Sequence, residues 1–402
     1  MFKTYRAVFR APGTAAFCAA GFVMRLPIAI YPIALVLIVS GRTGHYGFAG
    51  VLSACYILGG APGNPILARL VDRYGQRRLI APATAVHAAA VICLALLLEA
   101  DAPEWTLVAP TFVAGFAYLS VGSLTRARWS KALAARPELT TAYSLESTLD
   151  ELIFVVGPLI ATLIATQVDA VLVLYLAVAV VVVGAAWLWT QRDTEPAPHA
   201  VGAPRLASPL RSRGMLLLIA AAAAMGALFA SAEVTMVAFC GQHGQRAASG
   251  AVLACMALGS GIAGFTYGAR HWRTDVLERY RLHALIFAVL PFVFLAATNV
   301  VVLAVCAFIV GLGVAPTLIT SFGLIEKIVP GSALTEGLAW LTTGLNLGYG
   351  AGSAAVGGIA DAHGARVAFT VTIAAGLLMG GISLALHRSL REPVAAEPLA
   401  VA

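Results

Sequence analysis

Charged side chains inside otherwise apolar stretches are the residues of this chain with chemistry to do. Arg25 stands near the middle of the first apolar run, in Met24-Arg25-Leu26-Pro27. A charge at the centre of a membrane helix costs about 2.5–3.5 kcal/mol on insertion scales, so it needs a partner or water. A later run offers Glu146, Asp150 and Glu151, and the first two are four residues apart, on one helix face. Arg25 is expected to pair with Glu146 or Asp150, with Asp150 lying deepest, and one of these carboxylates is a candidate proton carrier. A permanent structural ion pair is the competing reading. Glu233 lies in a seventh run without a basic partner in its own helix. An unpaired acid in lipid is either protonated or in contact with water, which makes Glu233 a second candidate for proton or cation coupling. Its position toward the outer surface also lets it reach the interface.

These residues require a scaffold that uses lipid as solvent. The chain has 402 residues, 60% hydrophobic and 11% charged, with a mean hydropathy of +0.88; soluble domains carry about a quarter of their residues as charges. About twelve runs reach the roughly 20 apolar residues needed to cross a bilayer. The ninth and tenth share one stretch, Leu282 to Leu324, which is too long for one helix and is divided at Thr298-Asn299. A β-barrel would show short alternating strands instead. The expected class is therefore an all-α integral membrane protein of twelve transmembrane helices.

Basic residues favour the cytoplasmic side of short loops. They follow the even-numbered runs: Arg69, Arg73, Arg77 and Arg78 after the second, and Arg126, Arg128, Lys131 and Arg136 after the fourth. Both termini are then cytoplasmic, in a multi-pass protein of the plasma membrane. The net charge of +7 and pI near 9.3 come from residues scattered over every inner loop, not from one patch with aromatics, which argues against nucleic acid as a partner. The six cysteines fall in or at the ends of apolar runs without a C-x-x-C pair, so neither a disulfide framework nor a metal site is expected. The histidines are scattered and no P-loop is present, which argues against an enzyme, a cofactor site or ATP-driven transport within the chain.

The least apolar interior stretch, residues 191–214, divides the spans six and six. It separates a first bundle, 1–190, from a second bundle and short tail, 215–402. Internal repeats support two related halves. Gly50, Ala54, Cys55, Leu58 and Gly59 match Gly250, Ala254, Cys255, Leu258 and Gly259 at constant offset, and Phe112-Val113-Ala114-Gly115 is echoed by Phe308-Ile309-Val310-Gly311. The stretch Tyr74-Gly75-Gln76-Arg77 has a counterpart in Tyr267-Gly268-Ala269-Arg270, without the acid that Asp72 supplies to the first copy.

Six plus six spans, a charged linker and the loop after the second span resemble the major facilitator superfamily over essentially the whole chain. The loop signature is Ala68, Asp72, Arg73, Gly75, Arg77 and Arg78, with Ala68 where the family has glycine. The resemblance implies two pseudo-symmetric six-helix bundles, with Asp72 near the cytoplasmic end of the eleventh span bracing one gate state. There it would meet a helix N-terminus and pair with a loop arginine, while Gly75 permits the sharp turn. Gly157-Pro158 in the fifth span matches the Gly-Pro of the drug and proton antiporter branch without its flanking glycines; a proline in a span also kinks a helix. Tyr31, Tyr118, Tyr143, Trp340, Asn346 and Tyr349 lie in spans that line or edge the family's cavity, and such aromatics suit amphipathic solutes.

The function expected is secondary active transport of a small-molecule solute by alternating access, coupled to protons, working in the lipid bilayer as a monomer. Efflux of hydrophobic or amphipathic compounds is the first reading. Uptake or exchange of a metabolite, and a transport-inactive sensor of the same fold, are the alternatives.

Overall fold

The computed structural model describes residues 2–43, 46–134, 136–198, 208–245, 248–270 and 272–391. Among these residues there is helix and no strand. A short α1 (Phe2–Val8) precedes the first span, which is built from α2 (Thr14–Arg25) and α3 (Tyr31–Thr43). Then come α4 (Tyr46–Tyr74), α5 (Gln76–Glu99), a fourth span from α6 (Glu104–Ala117) and α7 (Val121–Ala132), α8 (Glu138–Gln167) and α9 (Leu172–Thr190). The second half holds α10 (Arg213–Gln242), α11 (Ser249–Ala269), α12 (Val276–Val289), a tenth span from α13 (Val300–Gly311) and α14 (Val314–Ile328), α15 (Leu334–His363) and α16 (Ala365–Arg391). Eleven helical segments among the described residues are long and apolar enough to cross a membrane. The 30-residue α15, which packs along α4, α10 and α16, brings the architecture to twelve.

The interruptions have local causes. Pro27 has no N–H and its ring crowds the preceding turn, so α2 ends at Arg25 and a 3-10 turn, Leu26–Ala29, leads into α3. Pro291 does the same after α12, where Leu290–Ala296 winds as 3-10. The apolar stretch Leu282–Leu324 breaks before Val300, and the Asn299 side chain caps α13 by accepting from the Val302 N–H at 3.0 Å.

The internal repeats have a packing counterpart. In the first half α4 crosses α6 so closely that a Cβ on Gly59 would lie 2.2 Å from the Phe112 carbonyl oxygen, and one on Gly115 would lie 2.0 Å from that of Tyr56. In the second half α11 crosses α13 in the same way: a Cβ on Gly259 would lie 2.3 Å from the Phe308 oxygen, and one on Gly311 would lie 2.1 Å from the Met256 oxygen. Backbones this close admit only glycine, so the repeated glycines fix the same helix crossing twice.

Two sequence expectations change. The stretch Arg69–Arg78 is a loop only at Gly75, because α4 continues to Tyr74 and α5 begins at Gln76. The fourth span does not end near Leu124. It runs on to Ala132, and Arg126 and Arg128 are buried within it rather than lying in a basic loop.

The apolar core is arranged in three main parts. At the end where the arginines gather, one cluster spans both halves and includes Trp129, Tyr143, Met215, Tyr267, Ile325 and Leu338. Toward the opposite end the halves have separate cores, around Tyr31, Leu94 and Leu174 in the first and around Met236, Phe294 and Phe369 in the second. The helix pairs that join the halves include α4 with α15, α8 with α11 and α14, α7 with α15, and α1 with α11. Among the described residues, α3 packs substantially only on helices of its own half. The bundles are therefore joined at the arginine-rich end and part toward the other.

Candidate transport centre and gate

A four-residue charge cluster lies at mid-span, where the Pro27 interruption halts α2. Arg25 donates from Nη2 to Glu146 Oε2 at 2.5 Å and from Nη1 to Asp150 Oδ1 at 2.7 Å, both acids projecting from α8. Arg126, from α7, donates from Nη2 to Asp150 Oδ2 at 2.8 Å, and its guanidinium lies 3.9 Å over the Phe322 ring of α14. Gly122 makes room for this convergence, since a Cβ there would stand 2.7 Å from Arg126 Nη1 and 3.7 Å from Arg25 Nη1. Arg25 thus pairs with both carboxylates, not with one of them.

The two acids differ in surroundings. Glu146 also accepts from Thr125 Oγ1 at 3.0 Å and Trp129 Nε1 at 2.7 Å, and none of its side chain is exposed. Asp150 is bridged between two arginines with 34% of its side chain exposed. A carboxylate cannot present that surface to hydrocarbon, so this face of Asp150 requires water or a polar partner. Asp150 lies nearer the centre of its span, as its sequence position suggests, yet Glu146 is the more enclosed.

Arg126, Thr125 and Trp129 are the members that sequence reasoning missed. A signal was available: Thr125-Arg126-Ala127-Arg128-Trp129 contains no Gly, Pro, Asn or Asp, the residues that build loops. Arg126 and Arg128, two apart on a helix, point to different sides. Arg128 bonds Gln76 Oε1 at 2.7 Å, Thr194 Oγ1 at 2.6 Å and the Gln191 carbonyl at 2.8 Å, which ties the start of the central linker to the first half.

The arginine-rich end is closed by contacts between the halves. Asp72 accepts from the backbone N–H of Glu336 at 2.8 Å and of Thr335 at 3.3 Å, in the first turn of α15, where free amides and the helix dipole favour an anion. Gly75 has a φ of +94°, and the Arg77 amide beyond it donates to Glu195 of the linker at 2.9 Å. The Arg77 guanidinium lies 4.1 Å over the Trp189 ring, Arg73 stands over its neighbour Tyr74, and Arg78 is exposed. Elsewhere at this end Tyr143 of α8 donates to Glu326 of α14. Thr141 donates to the Gly268 carbonyl at 2.6 Å, Ser144 to that of Gly264 at 2.5 Å, and Tyr5 to that of Phe265 at 3.0 Å. Tyr143 and Glu326 thus face each other across the halves.

The sequence model of the Major Facilitator Superfamily matches residues 16–281, about two thirds of the chain. The chain belongs to this superfamily. No curated protein sequence matches it. Among solved structures it is similar to the fucose:proton symporter of E. coli, with a TM-score of 0.75, 13% identity and coverage of 93% of this chain and 98% of that one. A human organic anion transporter gives 0.72, 14%, 93% and 100%. A bacterial homologue of the iron transporter ferroportin, in its outward-facing state, gives 0.74, 13%, 93% and 98%. At such identities the likeness is one of fold.

The superfamily's cavity positions fall differently here from what the sequence suggests. Tyr31 and Tyr118 are core residues: Tyr31 hydroxyl bonds His87 Nε2 at 2.8 Å, and Tyr118 donates to the Met24 carbonyl at 3.0 Å. His87, which sequence reasoning passed over, is fully buried and donates from Nδ1 to the Ala114 carbonyl at 2.8 Å. Tyr143 is sealed in the contact between the halves. On α15, Trp340 is half-buried and donates to Glu336 at 3.4 Å, whereas Asn346 and Tyr349 are exposed. Glu233 of α10 is held by the Tyr349 hydroxyl at 2.5 Å. Glu151, beside Asp150, accepts from Ser260 of α11 at 2.7 Å and lies within electrostatic reach of both Asp150 and Glu233. Gly157 packs against Ala29, and α8 continues through it; the Pro158 side chain lies outside those described.

Proposed function

We propose that the chain is a secondary transporter in which protons are exchanged at Asp150 while the halves, residues 1–190 and 215–402, rock about a solute held between them. The observation that carries this is Asp150 itself, bridged by Arg25 and Arg126 and one third exposed. A carboxylate that is both reachable and strongly paired changes its partners when it takes a proton, which links protonation to the contacts of the two bundles. Glu146, enclosed by three donors, holds Arg25 in place. Glu233, bonded by Tyr349, is a second candidate for coupling. The arginine-rich end is taken as cytoplasmic, with both termini there and the plasma membrane as the location. One such unit contains its own pathway and works as a monomer.

Efflux of hydrophobic or amphipathic compounds drew on an aromatic lining, and Tyr31, Tyr118 and Tyr143 are packed away from open space. The polar centre supports the other direction better: uptake or exchange of a small polar metabolite with a proton. Proteoliposomes with a sealed-in pH dye test this by recording proton movement on addition of neutral, cationic and anionic solutes. Wild type should move protons with at least one class, and Asp150→Asn should abolish that movement. Asp150→Asn retaining wild-type coupling removes Asp150 from the role, and a chain that moves no solute is the sensor.

A further inference from the structure

We propose that Arg25 and Arg126 form a binding site for a small organic monocarboxylate, which takes the place of the Asp150 side chain once that side chain is protonated. This rests on the reading of Asp150 as the exchanging acid, and it names the class of solute.

The charge count supports it first. Arg25 and Arg126 contribute two positive charges, Glu146 and Asp150 two negative ones, so the cluster is neutral as it stands. Glu146 is enclosed and saturated by Arg25, Thr125 and Trp129, and cannot leave without stranding a buried charge. A proton on Asp150 therefore leaves one uncompensated positive charge shared by two guanidinium groups. One monoanion restores neutrality.

Geometry then selects the anion. Asp150 offers one oxygen to each arginine, Oδ1 to Arg25 at 2.7 Å and Oδ2 to Arg126 at 2.8 Å. A planar group with two oxygens is what the pair already holds, and a carboxylate on a solute reproduces both bonds. Arg126 also has a buried Nε without a hydrogen-bond partner, so its guanidinium retains donor capacity. The groups around the site limit the charge further. Glu151 on α8 and Glu233 on α10 stand on the side of the second half, each held by one hydroxyl donor, Ser260 and Tyr349, and the Cys18 thiol of α2 lies near Glu146. With Arg25 and Arg126 set against Glu146 alone, only one positive charge is left to meet, and a dianion would make the cluster negative. Phe322, stacked under Arg126, supplies an apolar surface at the rim.

The proton balance is explicit. Asp150 carboxylate takes one proton from solution and becomes neutral, its two hydrogen bonds pass to the incoming carboxylate, and the ligand remains an anion. Each carboxylate bound is accompanied by one proton taken up, so the pair would cross the membrane together without net charge.

Benzoate, benzamide and inorganic phosphate are the probes, with binding to the full-length protein in lipid nanodiscs measured by calorimetry in buffers of different ionisation enthalpy, against empty nanodiscs. Wild type should bind benzoate with uptake of one proton, so that its affinity falls as pH rises, by up to about tenfold per pH unit, and should ignore benzamide and phosphate. Asp150→Asn should bind benzoate without proton uptake and with an affinity independent of pH. Arg126→Gln should lose benzoate while keeping its thermal unfolding transition. Benzoate and benzamide binding alike, phosphate binding with the same proton uptake, or no benzoate binding to either wild type or Asp150→Asn would overturn the inference. If Asp150→Asn abolishes proton coupling yet no benzoate binds, the transporter reading stands and only the solute class falls.

Discussion

Glu146 and Asp150 are one helical turn apart on α8 and share Arg25, yet their surroundings assign them different work. Glu146 is closed off by three donors from two helices, Arg25 of α2 and Thr125 and Trp129 of α7, so replacing it leaves all three facing a site built for an anion. Losing one partner of a buried pair costs roughly 3–5 kcal/mol. Glu146→Gln is therefore expected to lower the thermal unfolding temperature strongly, whereas Asp150→Asn, partly open to water and leaving Arg25 its bond to Glu146 while Arg126 loses its ion pair, should lower it less. Differential scanning fluorimetry of the two purified variants checks this, and equal destabilisation would make both acids structural. Arg25 and its two acids were legible in the sequence because a charge amid apolar residues must find a partner. Arg126 was not, because an arginine near the expected end of a span has an ordinary explanation as a topology determinant. Only the continuation of the helix to Ala132 removes that explanation.

At the scale of the helices, the contact of α4 with α15 is asymmetric between the halves. Asp72 meets two free amides in the first turn of α15, while the corresponding place in the second half has Arg270 stacked on Trp272 and no acid between Tyr267 and Arg273. Asp72→Asn is expected to slow proton-coupled flux several-fold more than Arg270→Gln. Equal flux in the two variants would leave the first copy as a topology signal only. The twelve spans, the repeat of glycine notches and the break near Asn299 were readable in advance, since span length, small-residue spacing and a polar break in an apolar run are local properties. The helical course of Arg69–Arg78 was not. Its arginines read as loop because each is charged, but the chain needs only Gly75, with its positive φ, to reverse direction. The burial of Tyr31 and Tyr118 was equally hidden, because it depends on His87 and the Met24 carbonyl from other helices.

Across the whole molecule, one core cluster bridges the halves at the arginine-rich end while separate cores serve them at the other. On the proposed reading of two rocking halves, the shared cluster is their seam and the centre opens away from it. Weakening the seam should then swing the bundles, not loosen them. Tyr143→Phe removes the hydroxyl that reaches Glu326 across α8 and α14. A hydrogen bond to a charged group contributes about 1.5–3 kcal/mol, and a bias of that size shifts a two-state equilibrium about 10- to 150-fold. Spin labels at Arg78 and Arg273, both exposed at the arginine-rich end, and at Glu104 and His363, both exposed at the opposite end, report the swing. The six native cysteines are replaced by alanine first. Tyr143→Phe is expected to lengthen the 78–273 distance and shorten the 104–363 distance in the same fraction of molecules. Lengthening at one end without shortening at the other would mean that the seam frays locally and that the halves do not move as units.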